Sequence, residues 1–200
     1  MNGKRSLRVW LLSDGRAGHY NQSRGIVKAL QSVYELRVEW IDMRLRAGFL
    51  RSLLRDLVNR GGSWLSLPFL HLFYRFQLPA APTHLIVSAG GKTSFANAWL
   101  AKVLNVPNIY AGSLRRIRPE CFSAVLTLEA QGDSERFLEL DLPPSAIDST
   151  ELERAAAGFL EQVGGTGQRY WALLIGGDGA GYRFRQSDWR ALAKLIALLA

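Results

Sequence analysis

Three glycine-containing loops hold the residue types and spacings that could do chemistry. The first is Ser13-Asp14-Gly15-Arg16-Ala17-Gly18-His19, running on into Tyr20-Asn21-Gln22. Gly15 and Gly18 let backbone approach a ligand and take positive φ. The helix start that follows offers free N–H groups and a partial positive charge, which suits phosphate or carboxylate. Asp14 can accept hydrogen bonds from sugar hydroxyls, and His19 is a candidate general base because imidazole titrates near neutrality. The plainer reading is that Asp14 caps the loop and His19 is a surface residue.

The second loop, Ser88-Ala89-Gly90-Gly91-Lys92-Thr93-Ser94, looks like the end of a phosphate loop but lacks the first glycine at Walker spacing. That excludes an NTPase reading. Lys92 and the hydroxyls of Thr93 and Ser94 can still hold an anion, or simply cap a helix. The third, Gly176-Gly177-Asp178-Gly179-Ala180-Gly181, suits a diphosphate. Its glycines miss the Gly-x-Gly-x-x-Gly fingerprint, so a nicotinamide enzyme is the weaker reading even though Glu39 or Asp42 stands near the place of a ribose-binding acid.

These loops need strands before them and helices after them. Leu7–Ser13 reads as a buried strand and His19–Ser32 as a helix with Ile26, Val27 and Leu30 on its apolar face. Leu36–Ile41 is strand-like, Phe49–Val58 helical, His84–Ser88 a strand, Thr93–Leu104 a helix. Strands follow from Val106 to Gly112 and from Ala124 to Leu128. This alternation predicts an α/β fold, a Rossmann-like parallel sheet with helices on both faces. Residues 129–150 read as loose and Glu151–Val163 as a helix. A first domain is therefore expected over 1–163 and a linker over 164–169. Over 170–200 the first strand (Tyr170–Ile175) and helix of a second domain are expected, cut short at the end of the chain.

The composition narrows the class. With 48% hydrophobic residues in 200, the chain can bury a core. No apolar run approaches the ~18 residues of a membrane span, the run after Lys4-Arg5 is too short for a secretory signal, and the single Cys121 excludes an intramolecular disulfide. A cytoplasmic protein is expected. The net charge of +8 points to an anionic partner or a solvated basic surface. Nucleic acid is not expected, because the cations follow no recognition helix or aromatic sheet motif.

The stretch Trp64–Leu78 is dense in aromatics, and Arg51 and Arg55 precede it. Trp64, Phe69 and Phe73 beside these arginines could dock on an anionic membrane surface, which would place the protein peripherally at the inner face of a membrane. The same pattern fits a helix buried against the sheet. Arg115, Arg116 and Arg118 form a second basic group able to take phosphate.

Asp14-Gly15-Arg16-Ala17-Gly18-His19-Tyr20-Asn21-Gln22-Ser23 resembles the opening motif of the mitochondrial fission ELM-type family. Ser88–Thr93 and Leu174-Ile175-Gly176-Gly177 resemble two later blocks of it, in the same order. The resemblance implies a GT-B-like glycosyltransferase with two Rossmann-like domains facing across a cleft. His19 or Asp14 would be the base, with Gly15, Gly18, Asn21, Gln22, Ser88, Gly90, Gly91, Lys92 and Thr93 around the substrate. Gly176, Gly177, Asp178, Gly179 and Gly181 would hold the diphosphate of a nucleotide-sugar donor. No metal or other cofactor is called for, because helix dipoles and N–H groups can stabilise the leaving diphosphate. The acceptor would be membrane-associated or lipid-linked. The alternative is a non-catalytic, membrane-associated adaptor that keeps the fold.

Overall fold

The computed structural model describes residues 4–62, 65–163, 172–177 and 183–199. The chain divides into two units, residues 1–152 and 153–200.

The first unit is built on β1 (Ser6–Ser13), whose apolar run is buried on both sides, as a central parallel strand requires. Val9 and Leu11 point to one face, where helix α1 (Ala17–Gln31) packs through Ile26 and Val27. Trp10 and Leu12 point to the other, into the larger core. Strand β2 (Glu35–Asp42) returns beside β1, followed by β3 (Arg44–Leu45), a 3-10 turn over Gly48–Leu50, and α2 (Arg51–Arg60). Helix α3 (Leu67–Phe73) leads into β4 (Tyr74–Arg75), which pairs antiparallel with β3. Next come β5 (Leu85–Ala89), α4 (Ser94–Leu104), β6 (Asn108–Ala111), β7 (Ala124–Thr127) and β8 (Phe137–Glu139). The main sheet is wholly parallel, in the order β2-β1-β5-β6-β7-β8. The α/β, Rossmann-like expectation holds.

Helix α4 is buried at every residue from Ser94 to Ala101. Its one interior amide is fully used: Asn97 Nδ2 donates to Ser88 Oγ (2.8 Å) and to the Ile109 carbonyl (3.0 Å), and Asn97 Oδ1 accepts from Asn108 Nδ2 (2.7 Å). This satisfied network fixes α4 against the ends of β5 and β6, and with it the loop that precedes α4. On the other face, the backbone of Pro144 and Ser145 crosses α1 directly over Gly25, where a Cβ would overlap it.

The loose segment expected over 129–150 contains a strand, β8. Its three residues are half-buried or exposed, so it carries no apolar alternation, and pairing with β7 alone defines it. In the second unit, α5 (Ser149–Gln162) begins before the boundary and runs into it, and α6 spans Gln186–Leu199. The strand expected over Tyr170–Ile175 is not found where it can be checked. Tyr170 and Trp171 lie outside the described residues, and 172–177 form no strand, with Leu174 96% exposed. A strand needs a neighbour to bond, and the described residues of this unit offer none.

Candidate functional site

The sheet order reverses between β1 and β5: the chain runs outward from β1 to β2, then starts again on the other side with β5. Crevices at such switch points, outside the carboxyl ends of the strands, are where open parallel sheets bind ligands. The loops leaving β1 and β5 are the first and second loops of the sequence, and they meet there.

Asp14 is the hinge of the arrangement. Its side chain is 1% exposed, and the His19 Nδ1 lies 2.9 Å from Oδ1 and 3.0 Å from Oδ2. A carboxylate only accepts, so this contact needs a proton on Nδ1, and in the neutral ring Nε2 is then the acceptor. Oδ1 also accepts from the Arg16 N–H (3.3 Å), and Ser13 Oγ from the Gly15 N–H (3.1 Å), which folds the loop into a tight turn with Gly15 at φ +76°. The His19 ring lies flat against Gly90, at φ +87°, where any Cβ would overlap Nδ1, Cε1 and Cγ. Glycine at 90 is thus required twice, by its dihedral and by the imidazole.

The remaining parts come from β6 and the turn after it. The side chain of Arg115 rests on Gly91, and a Cβ there would stand 3.3 Å from Nε. Arg115 and Arg116 both have positive φ, +48° and +71°, a costly conformation for residues with a Cβ and one that clusters at functional sites. Tyr110 ends deep in the crevice, its hydroxyl donating to the Ser113 carbonyl at 3.2 Å. Burial pushes its pKa up to about 12; the charge of Arg115 and a hydrogen bond with Ser94 pull the other way, and the charge of Asp14 adds to the rise. From below, Tyr74 on β4 donates to the Lys92 carbonyl at 2.7 Å. Its pKa is also raised, by burial first.

Both helices that begin at the crevice start uncapped. The residues before α1 and α4, Arg16 and Thr93, make no side-chain cap bond, and neither first turn has an acidic residue. The leading N–H groups of α1 are left for an anion, whereas those of α4 lie on buried residues and its Ala96 N–H meets the Tyr74 hydroxyl. Beside them, at the ends of β6 and β7, a cavity of about 350 Å³ is lined by Gln22, Gly112, Ser113, Thr127, Glu129 and Pro143, among others, within the ~300–1,000 Å³ range of small-molecule sites.

The residues expected at the site divide accordingly. Asp14, Gly15, His19, Gly90, Gly91 and Lys92 gather at the switch point. Gly18 and Asn21 are exposed on the first turn of α1, and Gln22 reaches the cavity. Ser88 and Thr93 are fully buried: Ser88 accepts from Asn97, and Thr93 Oγ1 donates to the carbonyls of Ala89 and Gly90 (both 2.9 Å). They shape the loop from inside and do not face a ligand. Gly176 and Gly177 lie in the second unit, exposed with open space around them. Asp178, Gly179 and Gly181 lie outside the described residues. Tyr110 was not singled out from the sequence; it is the last residue but one of β6, and Gly112 follows that strand as Asp14 and Gly90 follow theirs.

The membrane-facing residues need correction. Phe73 is 5% exposed and belongs to the core, and Phe69 packs on it and on Trp99 at ring distances of 5.5 and 5.7 Å. Arg55 pairs with Asp56 at 3.2 Å, and among the described residues the Nε of half-buried Arg51 has no hydrogen-bond partner. Trp64 lies outside the described residues. A spacing of four with Leu70 between puts Phe69 and Phe73 on the inner face of α3. The exposed apolar groups are instead Phe49 (84%), Leu53 and Leu72. Arg46 is tied to the residues on either side of Leu72, its N–H on the Phe73 carbonyl (2.9 Å) and its Nε on the His71 carbonyl (3.0 Å), with Arg44 directly opposite Arg75 in the β3–β4 pair. Among the described residues no helix is long and apolar enough to cross a membrane.

Fold and site together define a doubly wound α/β protein with an acid–imidazole pair at its switch-point crevice. The family described as Mitochondrial fission ELM1 matches residues 17–200, and the chain belongs to that family. No curated protein and no solved structure matches it.

Proposed function

We propose that the crevice binds a phosphorylated sugar donor and an acceptor hydroxyl, and that the protein transfers the sugar between them. The observation that carries this reading is the buried Asp14 carboxylate holding His19 against Gly90, between two uncapped helix starts. His19 Nε2 takes the proton of the acceptor hydroxyl as its oxygen bonds to the anomeric carbon. The bond from that carbon to the donor phosphate breaks, and its electron pair leaves with the phosphate oxygen. The N–H groups at the exposed start of α1, with Lys92 and Arg115, meet that charge. Asp14 stabilises the imidazolium that forms.

Turnover of a panel of nucleotide sugars, followed by release of the nucleotide, tests the reading. His19→Ala and Asp14→Asn should each lower turnover by about 10²-fold or more, the usual weight of general-base catalysis. Turnover that survives both substitutions unchanged refutes the assignment.

The non-catalytic reading draws on a separate observation. Phe49, Leu53 and Leu72 are exposed, Arg46 is bonded to the residues on either side of Leu72, and Arg44 and Arg75 are exposed on the β3–β4 pair, a combination suited to an anionic lipid surface. That surface serves a membrane-associated or lipid-linked acceptor equally well. Absence of nucleotide-sugar turnover, together with retention on anionic but not zwitterionic vesicles, favours an adaptor.

A further inference from the structure

At the opposite ends of the strands from the crevice, where β6 and β7 begin, lies a cavity of about 540 Å³. Its floor is apolar, formed in part by Val58 and Phe122, both buried. Its rim carries three cations from three different elements: Lys102 on α4, Arg118 in the turn before β7, and Arg136 just ahead of β8. Among the described residues, the one carboxylate on the lining is Glu120. Among the described residues, none of the three cations has a carboxylate oxygen within the 4.0 Å of an ion pair; such pairs occur elsewhere in the unit.

The cations are also held in place. Asn59 grips the turn at two points, its Oδ1 accepting from the Arg118 N–H (2.8 Å) and its Nδ2 donating to the Arg116 carbonyl (2.9 Å). Arg136 donates from Nη1 to the Ser123 carbonyl at 3.4 Å. The Lys102 side chain folds over Gly61, whose φ of +60° and missing Cβ make room for the ammonium. Like charges collected around a low-dielectric recess focus a positive field into it. Guanidinium groups in that setting suit a carboxylate or phosphate head. The apolar floor below them gains only if the rest of the ligand is apolar too.

We propose that this cavity is a binding site for an amphiphilic anion, a carboxylate or phosphate head on an apolar tail, separate from the switch-point crevice. Calorimetric titration of the whole chain with decanoate, decyl phosphate and inorganic phosphate, each below any micelle concentration, tests it. Saturable binding of at least one of the two tailed anions is expected, and the stronger of the two identifies the head group. Arg118→Ala and Arg136→Ala, both at exposed side chains, should each weaken that binding by about tenfold or more. Arg24→Ala on α1 should leave it unchanged. Thermal melts of the variants show that the fold is retained. Amide shifts at Asn59 and Cys121 on titration locate the ligand if one arginine proves structural. The proposal is overturned if neither tailed anion binds saturably, if both arginine variants bind as the parent does, or if inorganic phosphate binds as tightly as decyl phosphate. None of these outcomes depends on turnover at His19.

Discussion

Replacing Gly90 by alanine should unseat His19, and the size of the effect can be worked from the geometry. At φ +87° an alanine costs about 1–2 kcal/mol in backbone strain. Its Cβ also falls on the imidazole, since the three nearest atoms all belong to the His19 ring. The ring must swing away and give up Asp14, a hydrogen bond to a charged group worth about 1.5–3 kcal/mol. Asp14, 1% exposed, is then left with the Arg16 N–H alone. The single substitution should therefore cost about 2.5–5 kcal/mol in all. In a His19→Ala background the collision is gone and only the strain remains. A double-mutant cycle of Gly90→Ala with His19→Ala, read from urea midpoints, should thus show a coupling of about 1.5–3 kcal/mol. Gly15→Ala is the control, at φ +76° but with open space around it; it should show strain and no coupling to His19. A Gly90–His19 coupling below about 0.5 kcal/mol, the scatter of independent sites, would mean that the ring does not rest on Gly90 in solution.

Two further outcomes follow from buried polar groups. Tyr110 keeps its proton in the folded state up to about pH 12, whereas an unfolded tyrosine loses it near pH 10. Between those values the unfolded chain binds fewer protons, so stability present below about pH 10 falls as pH rises. The melting temperature of Tyr110→Phe should fall less steeply than that of the parent between about pH 9.5 and 11.5, and equal slopes would exclude the buried phenol as the cause. Asn97→Ala strips a partner from both Ser88 and Asn108, which are buried. It should lower the urea midpoint by the equivalent of about 2–4 kcal/mol with an unchanged m value; a loss under about 1 kcal/mol would show that the network repairs itself.

The central strands and their helices were legible because each repeats a strong local pattern: β1 is apolar on both sides, and α1 has one apolar stripe. Hence Asp14, His19, Gly90 and Gly91 could be named as strand-end residues from the sequence. What joins them could not be read. The seat of His19 on Gly90 and of Arg115 on Gly91 depends on which strands become neighbours, and sequence order does not state that β5 lies beside β1. The β3–β4 pair escaped for the same reason: two residues on each side, separated by two helices, carry no periodicity. Phe69 and Phe73 show a different limit. Where α3 is apolar on more than one side, pattern alone does not tell which aromatics face inward. Trp99 decides it, and Trp99 belongs to another helix. The strand expected at the third glycine loop rested on composition, and Leu173 to Ile175 are apolar yet exposed.

The hydrogen bond from the Tyr74 hydroxyl to the Lys92 carbonyl ties the β3–β4 pair to the loop that carries Gly90. Arg44, Arg46 and Arg75 ride on or beside that pair, and His19 rests on that loop. Tyr74 thus connects the arginine-bearing pair to the loop under the imidazole. Without that hydroxyl, as in Tyr74→Phe, the loop under His19 would lose this tie to the strand pair.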